Sequence, residues 1–95
     1  MTVKVFIKRK LQENNAVELT LLLNKLRSLA LGQPGYISGE TFKRIDKKDE
    51  CIVIGTWRSL EDWNNWVNNP LRIEVQAEID RLLGEETEYA IYGYS

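Results

Sequence analysis

Three residues in the second half of the sequence have types and spacing that suit the binding of a phenolate or a carboxylate. Arg72 and Gln76 lie four residues apart, so on a helix they share one flank with Ile79 and present a cation and an amide beside an apolar wall. Fixed donors in a dry cavity favour negative charge where it forms. Trp66 would wall the same pocket. The sequence therefore nominates Trp66, Arg72 and Gln76 as catalytic residues.

Two of these residues also have a purely structural interpretation. An arginine at the start of a helix is commonly solvated, and Arg72 has Glu61 and Asp62 within reach as partners. Helical spacing places Trp63 inside an apolar stripe, which predicts a core residue. Trp66 falls at the edge of that stripe, which suits either packing or the rim of a pocket.

Five further residues are candidates for lining a ligand pocket: Trp57, Trp63, Tyr36, Glu40 and Phe42. The period of two places Tyr36, Glu40 and Phe42 on one face of a strand, and a carboxylate such as Glu40 or a tyrosine is a candidate proton acceptor. Tyrosine is also a standard residue of dimer interfaces, which favours packing over ligand binding for Tyr36. The face of the sheet to which Trp57 points is left undetermined by the sequence.

The composition argues against several kinds of site. The 95 residues include no histidine, which disfavours zinc sites and His-ligated haem, and we expect neither a metal nor an organic cofactor. Thirteen cationic residues nearly balance 14 anionic ones and are scattered, so neither nucleic acid nor a membrane is an expected partner. The lone Cys51 is expected to pack as a small apolar group. The short apolar runs predict a cytoplasmic protein.

Hydrophobic periodicity outlines one domain over residues 1–95. The stretch "TVKVFIKRK" alternates with a period of two, as a strand does. Asn15 and Glu18 match a capping pattern before a leucine-rich helix that ends near Gly32. Two more strands, Tyr36 to Asp46 and "ECIVIGTWR", flank the turn "DKKD" and predict a hairpin.

The rest of the chain predicts a broken helix and a final strand. Ser59 and Asp62 form a capping pattern, and Asn69 with Pro70 ends one helix and begins the next. The segment "TEYAIYGY" supplies the last strand. The order β-α-β-β-α-β predicts an α+β, ferredoxin-like antiparallel sheet with its helices on one face. Because strands carry apolar groups on both faces, we expect the open face to pair with a second copy in a homodimer.

The sequence resembles the antibiotic biosynthesis monooxygenase (ABM) family over nearly its whole length. The resemblance is carried by "PGYISGETFKRID", by "GTWRSLEDWNNW" and by "RIEVQAEIDRLL". It implies a homodimeric α+β barrel with a pocket between sheet and helices in each subunit. Members of this family include cofactor-independent quinone-forming oxygenases and haem-degrading enzymes.

Three positions of this resemblance bear on the reaction. Trp66 matches the pocket tryptophan of the family, Ile7 stands where some branches have an asparagine, and Gln76 stands where the haem-degrading branch has its ligating histidine. A glutamine amide is a poor iron ligand, so haem degradation is disfavoured.

Two functions remain open from the sequence. The first is a cofactor-independent monooxygenase acting on a small aromatic molecule such as a quinol or polyphenol. The second is a non-catalytic homodimeric module that binds a small ligand or serves regulation on the same fold.

Overall fold

The computed structural model describes residues 1–11, 15–84 and 86–94. Four strands and three helices follow one another in the predicted order, with the second helix divided in two. Their bounds are β1 Val3–Lys10, α1 Ala16–Leu31, β2 Tyr36–Lys43, β3 Glu50–Trp57, α2 Leu60–Val67, α3 Pro70–Leu83 and β4 Glu88–Gly93.

The four strands form one antiparallel sheet in the order β2-β3-β1-β4. This order confirms the ferredoxin-like arrangement predicted from the sequence. The central strands β1 and β3 pair over their full length, from Val3 opposite Trp57 to Lys10 opposite Glu50. The predicted hairpin is formed by β2 and β3.

The break between α2 and α3 has a local cause in the sequence. The Ser59 hydroxyl accepts a hydrogen bond from the backbone N–H of Asp62 at 3.1 Å, which caps α2. Asn69 caps α3 by accepting from two backbone N–H groups, and Pro70 occupies the first turn, where its missing N–H costs nothing. Asn15 differs from its prediction: its side chain donates to the carbonyl of Leu82 at 3.0 Å and does not cap α1.

Alternation along the strands divides the sheet into an inner face beneath the helices and an outer face. Val3, Val5 and Arg9 are buried on the inner face of β1, opposite the buried Trp57, Gly55 and Cys51 of β3. The outer face carries alternating residues of all four strands, among them Lys4, Phe6, Ile52, Ile54, Glu40, Phe42 and Tyr92.

A bulge in β2 changes which of its residues point inward. Tyr36 pairs with Trp57 and Ser38 pairs with the next residue, Thr56, so Ile37 is left over. Tyr36 therefore lies on the inner face, whereas Glu40, opposite Ile54, lies on the outer face. The predicted common face of Tyr36, Glu40 and Phe42 is wrong because the bulge shifts the alternation by one residue.

Two apolar clusters fill the inner side. One joins the sheet to α2 through the three buried tryptophans, and the other joins α1 to α3 through Leu19, Val75 and Ile79. Within the described ranges, no helix is both long and apolar enough to span a membrane.

Two glycines with positive φ give a matched test of this packing. Gly35 has φ +83° and Gly84 has φ +75°, a region that other residues enter at a cost of about 1–2 kcal/mol. A Cβ at Gly35 would lie 2.2 Å from an Asp62 carboxylate oxygen, whereas one at Gly84 would have no neighbour within 4 Å. We expect Gly84→Ala to lower the free energy of unfolding by about 1 kcal/mol and Gly35→Ala by about 3 kcal/mol, because overpacking adds to backbone strain. Equal losses in urea denaturation would contradict the close contact with Asp62.

Candidate functional site

A cavity of about 260 Å³ lies between α1 and the inner face of β1, β2 and β3. Its walls are mostly apolar, with Ile7 and Val53 from the sheet and Leu23, Leu26 and Ala30 from α1. Polar side chains are interspersed, and Trp66 closes one side. The polar members of the lining are Arg9, Thr20, Asn24, Arg27, Tyr36 and Thr41.

Trp66 is held in the cavity wall by a cluster of aromatic rings. Its indole stacks on that of Trp57 at 6.1 Å between centroids, with 25° between the planes. Trp57 also meets Trp63 and Tyr36 edge to face, at 5.9 Å and 5.3 Å. Trp66 is 5 % exposed and therefore belongs to the core as well as to the cavity, a combination that its predicted place at the edge of the stripe did not anticipate.

Tyr36 brings a hydroxyl to the cavity wall, and Gly39 makes room for it. Both residues line the cavity on the inner face of β2. A Cβ at Gly39 would lie 2.6 Å from the Tyr36 hydroxyl oxygen. The absence of a side chain at Gly39 therefore lets the phenol lie flat along the strand.

Arg9 lines the same cavity, and its side chain is almost wholly removed from solvent. The residue is 4 % exposed, and its Nε has no hydrogen-bond partner among the described residues. Within those residues no carboxylate lies within 4.0 Å of Arg9 to form an ion pair. Burial lowers the pKa of Arg9, and the nearby positive charge of Arg72 acts in the same direction. Within the part of the chain that the structure describes, Arg9 is thus a buried cation without a contacting counter-ion.

A smaller polar pocket of about 180 Å³ borders Arg9 as well. It is lined by Lys8, Lys10, Glu86 and Glu88 in addition to Arg9. The two carboxylates contribute negative charge to the surroundings of Arg9 at a distance longer than that of an ion pair.

The amide of Gln76 fixes the position of Arg9. Gln76 Nε2 donates to Asp80 at 2.9 Å and to the Thr87 hydroxyl at 2.8 Å. Since both N–H groups are used in this way, Oε1 is the atom that accepts from Arg9 Nη2, at 3.3 Å. Asp80 also accepts from the Thr87 backbone and hydroxyl, which ties the end of α3 to the segment before β4. The predicted site residue Gln76 therefore reaches the cavity through Arg9.

Arg72 lies apart from the cavity, in a separate aromatic setting. Its guanidinium carbon is 5.8 Å from the ring centroid of Trp63 and 5.3 Å from that of Tyr89, and Nη2 donates to the Tyr89 hydroxyl. Arg72 is 5 % exposed. The alternative of a solvated arginine paired with Glu61 or Asp62 is therefore wrong, because Arg72 is buried against the rings of Trp63 and Tyr89.

The structure separates the remaining predicted pocket residues. Trp57 points to the inner face but packs behind Trp66, and Trp63 packs against Arg72, so neither lines the cavity. Glu40 and Phe42 lie on the outer face because of the bulge in β2. Of the predicted residues, Trp66 and Tyr36 line the cavity directly.

Arg9 was not among the residues nominated from the sequence. The alternation of Val3, Val5 and Ile7 continues to Arg9, so the period of two already places it on the apolar face of β1. A cation that continues an apolar alternation is the signal that would have identified it. The usual expectation that arginine is exposed concealed that signal.

The residues present do not fit a ligated haem. At the position where the resemblance implies a histidine, the Gln76 amide is committed to Arg9, Asp80 and Thr87. An amide is a poor iron ligand, and this one has no free atom to offer. Gln76 serves to hold Arg9.

Cys51 packs as predicted, buried on the inner face opposite Arg9. Burial raises the pKa of its thiol, which keeps the thiol protonated and weakly nucleophilic.

The contacts of Arg72 with Trp63 and Tyr89 predict that the stability of the protein depends on a planar cation at this position. We expect Arg72→Lys to lower the free energy of unfolding by about 1–3 kcal/mol, because an ammonium group has no planar face with which to contact the Trp63 ring while bonding Tyr89. Arg81→Lys, an exposed change on the same helix, should stay within about 0.5 kcal/mol of the wild type. Urea denaturation of both variants measures the difference. A negligible loss for Arg72→Lys would show that the stacking does not contribute to stability.

Solved structures with the same fold cover the whole chain at low sequence identity. A conserved protein from Methanosarcina mazei Go1 superposes with a TM-score of 0.91 at 17% identity, over 100% of this chain and 94% of that one. SnoaB, a cofactor-independent oxygenase from Streptomyces nogalater, gives 0.85 at 14% identity, over 99% and 93%. Rv0793 from Mycobacterium tuberculosis gives 0.86 at 16% identity, over 100% and 96%. These likenesses establish the fold.

The family is established by the sequence. No curated protein matches the chain significantly. The family model described as antibiotic biosynthesis monooxygenase matches residues 2–78, which includes β1, the hairpin, both tryptophans of α2 and most of α3. The chain therefore belongs to the antibiotic biosynthesis monooxygenase family.

Proposed function

We propose that this protein is a cofactor-independent monooxygenase whose substrate is a small aromatic molecule such as a quinol or a polyphenol. The observation that carries the proposal is the apolar cavity between α1 and the sheet, walled by Trp66 and containing a buried cation. Membership of the monooxygenase family and the fold shared with SnoaB support it.

The size of the cavity limits the substrate. A cavity of about 150 Å³ accommodates benzene, so the 260 Å³ found here has room for one ring with substituents or for two fused rings. Trp66 and Tyr36 offer aromatic and polar contacts at its edge.

The chemistry requires an electron-rich substrate. An aromatic anion transfers one electron to dioxygen, which gives an organic radical and superoxide. These two combine into a peroxide, which takes up a proton to become a hydroperoxide. Loss of water then converts the ring C–H into C=O and gives a quinone, with one oxygen atom retained and the other leaving as water with the ring hydrogen and the proton that the phenol had lost. In this scheme the substrate supplies all the electrons, and the protein binds, orients and excludes water.

The second candidate, a non-catalytic binding module, is favoured by one observation. Among the described residues that line the cavity there is no carboxylate, and the predicted proton acceptor Glu40 lies on the outer face. A protein that only binds an aromatic ligand needs no base. An enzyme with this cavity must receive an anion or promote its formation without a carboxylate base.

Trp66 and Trp63 provide a matched pair for testing the reaction. Both are buried indoles of α2, but only Trp66 lines the cavity. With a panel of quinols, we expect Trp66→Phe to lower kcat/KM for oxygen uptake by about tenfold or more through a misplaced substrate, and Trp63→Phe to lower it much less. Labelled dioxygen should place one oxygen atom in the product. The monooxygenase proposal fails if no quinol supports oxygen uptake, and the site fails if both variants behave alike.

We also propose that the outer face of the sheet joins two copies in a homodimer. Phe6 and Tyr92 meet edge to face on it at 5.0 Å, and Phe42 is 47 % exposed. The face also forms a groove of about 770 Å³. An apolar surface of this kind is typical of a two-fold interface.

A charge on the outer face should prevent the dimer. Ile54 lies within this face, opposite Phe6, whereas Ile45 is 95 % exposed in the hairpin turn. We expect Ile54→Lys to give monomers in light scattering at micromolar concentration, because burial of an unpaired ammonium opposes association. Ile45→Lys should remain dimeric. A monomeric wild-type protein would contradict the proposed interface.

A further inference from the structure

The buried guanidinium of Arg9 points to the kind of ligand that the cavity takes. Removing a cation from water is costly unless an anion or several acceptors replace the water. Among the described residues Arg9 obtains one acceptor, Gln76 Oε1, and its Nε has none. Apart from the bond to Gln76, the guanidinium donors thus have no acceptor among the described residues.

Charged and titratable groups near Arg9 come from several elements. They are Cys51 from β3, Arg72 and Asp80 from α3, Tyr89 from β4, and Lys8, Lys10, Glu86 and Glu88 from the small polar pocket. The closest carboxylate in the hydrogen-bond network, Asp80, is occupied by Gln76 and Thr87. The cavity itself adds Arg27 from α1, so the described residues of its lining carry positive charge without negative charge.

The position of Arg9 is set before any ligand binds. Gln76 is oriented by two donated hydrogen bonds, and its remaining oxygen holds Arg9 Nη2. A donor held in place in this way loses little freedom when a ligand binds, which strengthens binding to a complementary group.

We propose that Arg9 binds an anionic oxygen, a phenolate or a carboxylate, on the aromatic ligand of this cavity, with Gln76 as its positioning residue. The inference deepens the proposed function by naming the ligand's charge, and it rests on the same cavity. A cation within about 4–6 Å lowers the pKa of an acid by about 1–3 units. A phenol bound beside Arg9 would therefore ionise about 1–3 pH units lower than it does in water, with its proton passing to solvent. The missing carboxylate base then presents no obstacle to oxygenation.

The phenolate form of the proposal is tested with para-nitrophenol, whose anion is yellow. In an excess of wild-type protein we expect the midpoint of its ionisation to fall by about 1 pH unit or more relative to the free phenol. In Arg9→Met and Arg9→Gln the midpoint should return to the free value, in Arg9→Lys it should be partly lowered, and in Gln76→Leu it should lie between. Arg81→Met, on the exposed side of α3, should behave as the wild type.

The carboxylate form is tested by titrating benzoate and benzamide, which have the same ring and differ in charge. We expect the wild type to bind benzoate about tenfold or more tightly than benzamide, and Arg9→Met to lose that preference. A tenfold ratio of affinities corresponds to the same free energy as a pKa difference of about one unit. If the wild type lowers the para-nitrophenol midpoint but shows no preference for benzoate, the ligand is a phenol. If it prefers benzoate but leaves that midpoint unchanged, the ligand is a carboxylic acid.

Several outcomes would overturn the proposal. They are an unshifted para-nitrophenol midpoint together with equal affinity for benzoate and benzamide, or a shift that survives in both Arg9→Met and Arg9→Gln. A shift that is lost in Arg27→Met but retained in Arg9→Met would assign the anion to Arg27 instead. Near-ultraviolet circular dichroism verifies that each variant is folded.

These measurements involve no turnover, so they are separable from the proposed reaction. An anion preference without oxygen uptake would retain Arg9 as the binding residue and remove the monooxygenase activity. Oxygen uptake that Arg9→Met and Arg9→Gln leave unchanged, with no anion preference, would retain the activity and remove the role of Arg9.

Discussion

The structure depends above all on the packing of the Trp57 indole at the end of β3. This ring is 2 % exposed and contacts Tyr36 of β2 and both tryptophans of α2. Each aromatic pair adds about 0.5–1.5 kcal/mol beyond the area that it buries. Because α2 has only two turns, it could not hold a fixed orientation by its backbone alone. The ring of Trp57 positions α2, and α2 in turn places Trp66 in the cavity wall.

Arg9 introduces a conflict between stability and function. An apolar residue of similar length would suit the inner face of β1, where Val3 and Val5 are buried, and would avoid the cost of a desolvated cation. The chain instead maintains a network from Asp80 and Thr87 through Gln76 to support that cation. Features that lower stability locally and are supported by dedicated contacts are characteristic of binding sites.

The sequence predicted the elements and their order because strand alternation, helix caps and Pro70 are local signals. The resemblance to the family could also be identified from the sequence, because contiguous stretches carry it. It did not predict the membership of the cavity, which depends on contacts between distant elements. Arg9 and Gln76 are 67 residues apart, and only the fold brings them together. Arg72 was correctly placed on a helix flank beside Gln76, yet its neighbours Trp63 and Tyr89 could not be inferred from spacing.

The bulge in β2 also has a consequence for how related sequences are aligned. Ile37 is the one residue of this strand that the hydrogen-bonded ladder leaves over. If it were deleted, Tyr36 would still lie opposite Trp57 and Ser38 opposite Thr56, each on its present side of the sheet. The presence or absence of one residue at this point therefore does not change which residues of β2 face the cavity. Relatives that differ by one residue here can retain the same inner wall. In an alignment, a gap placed anywhere else in the strand would assign inner-face residues to the outer face.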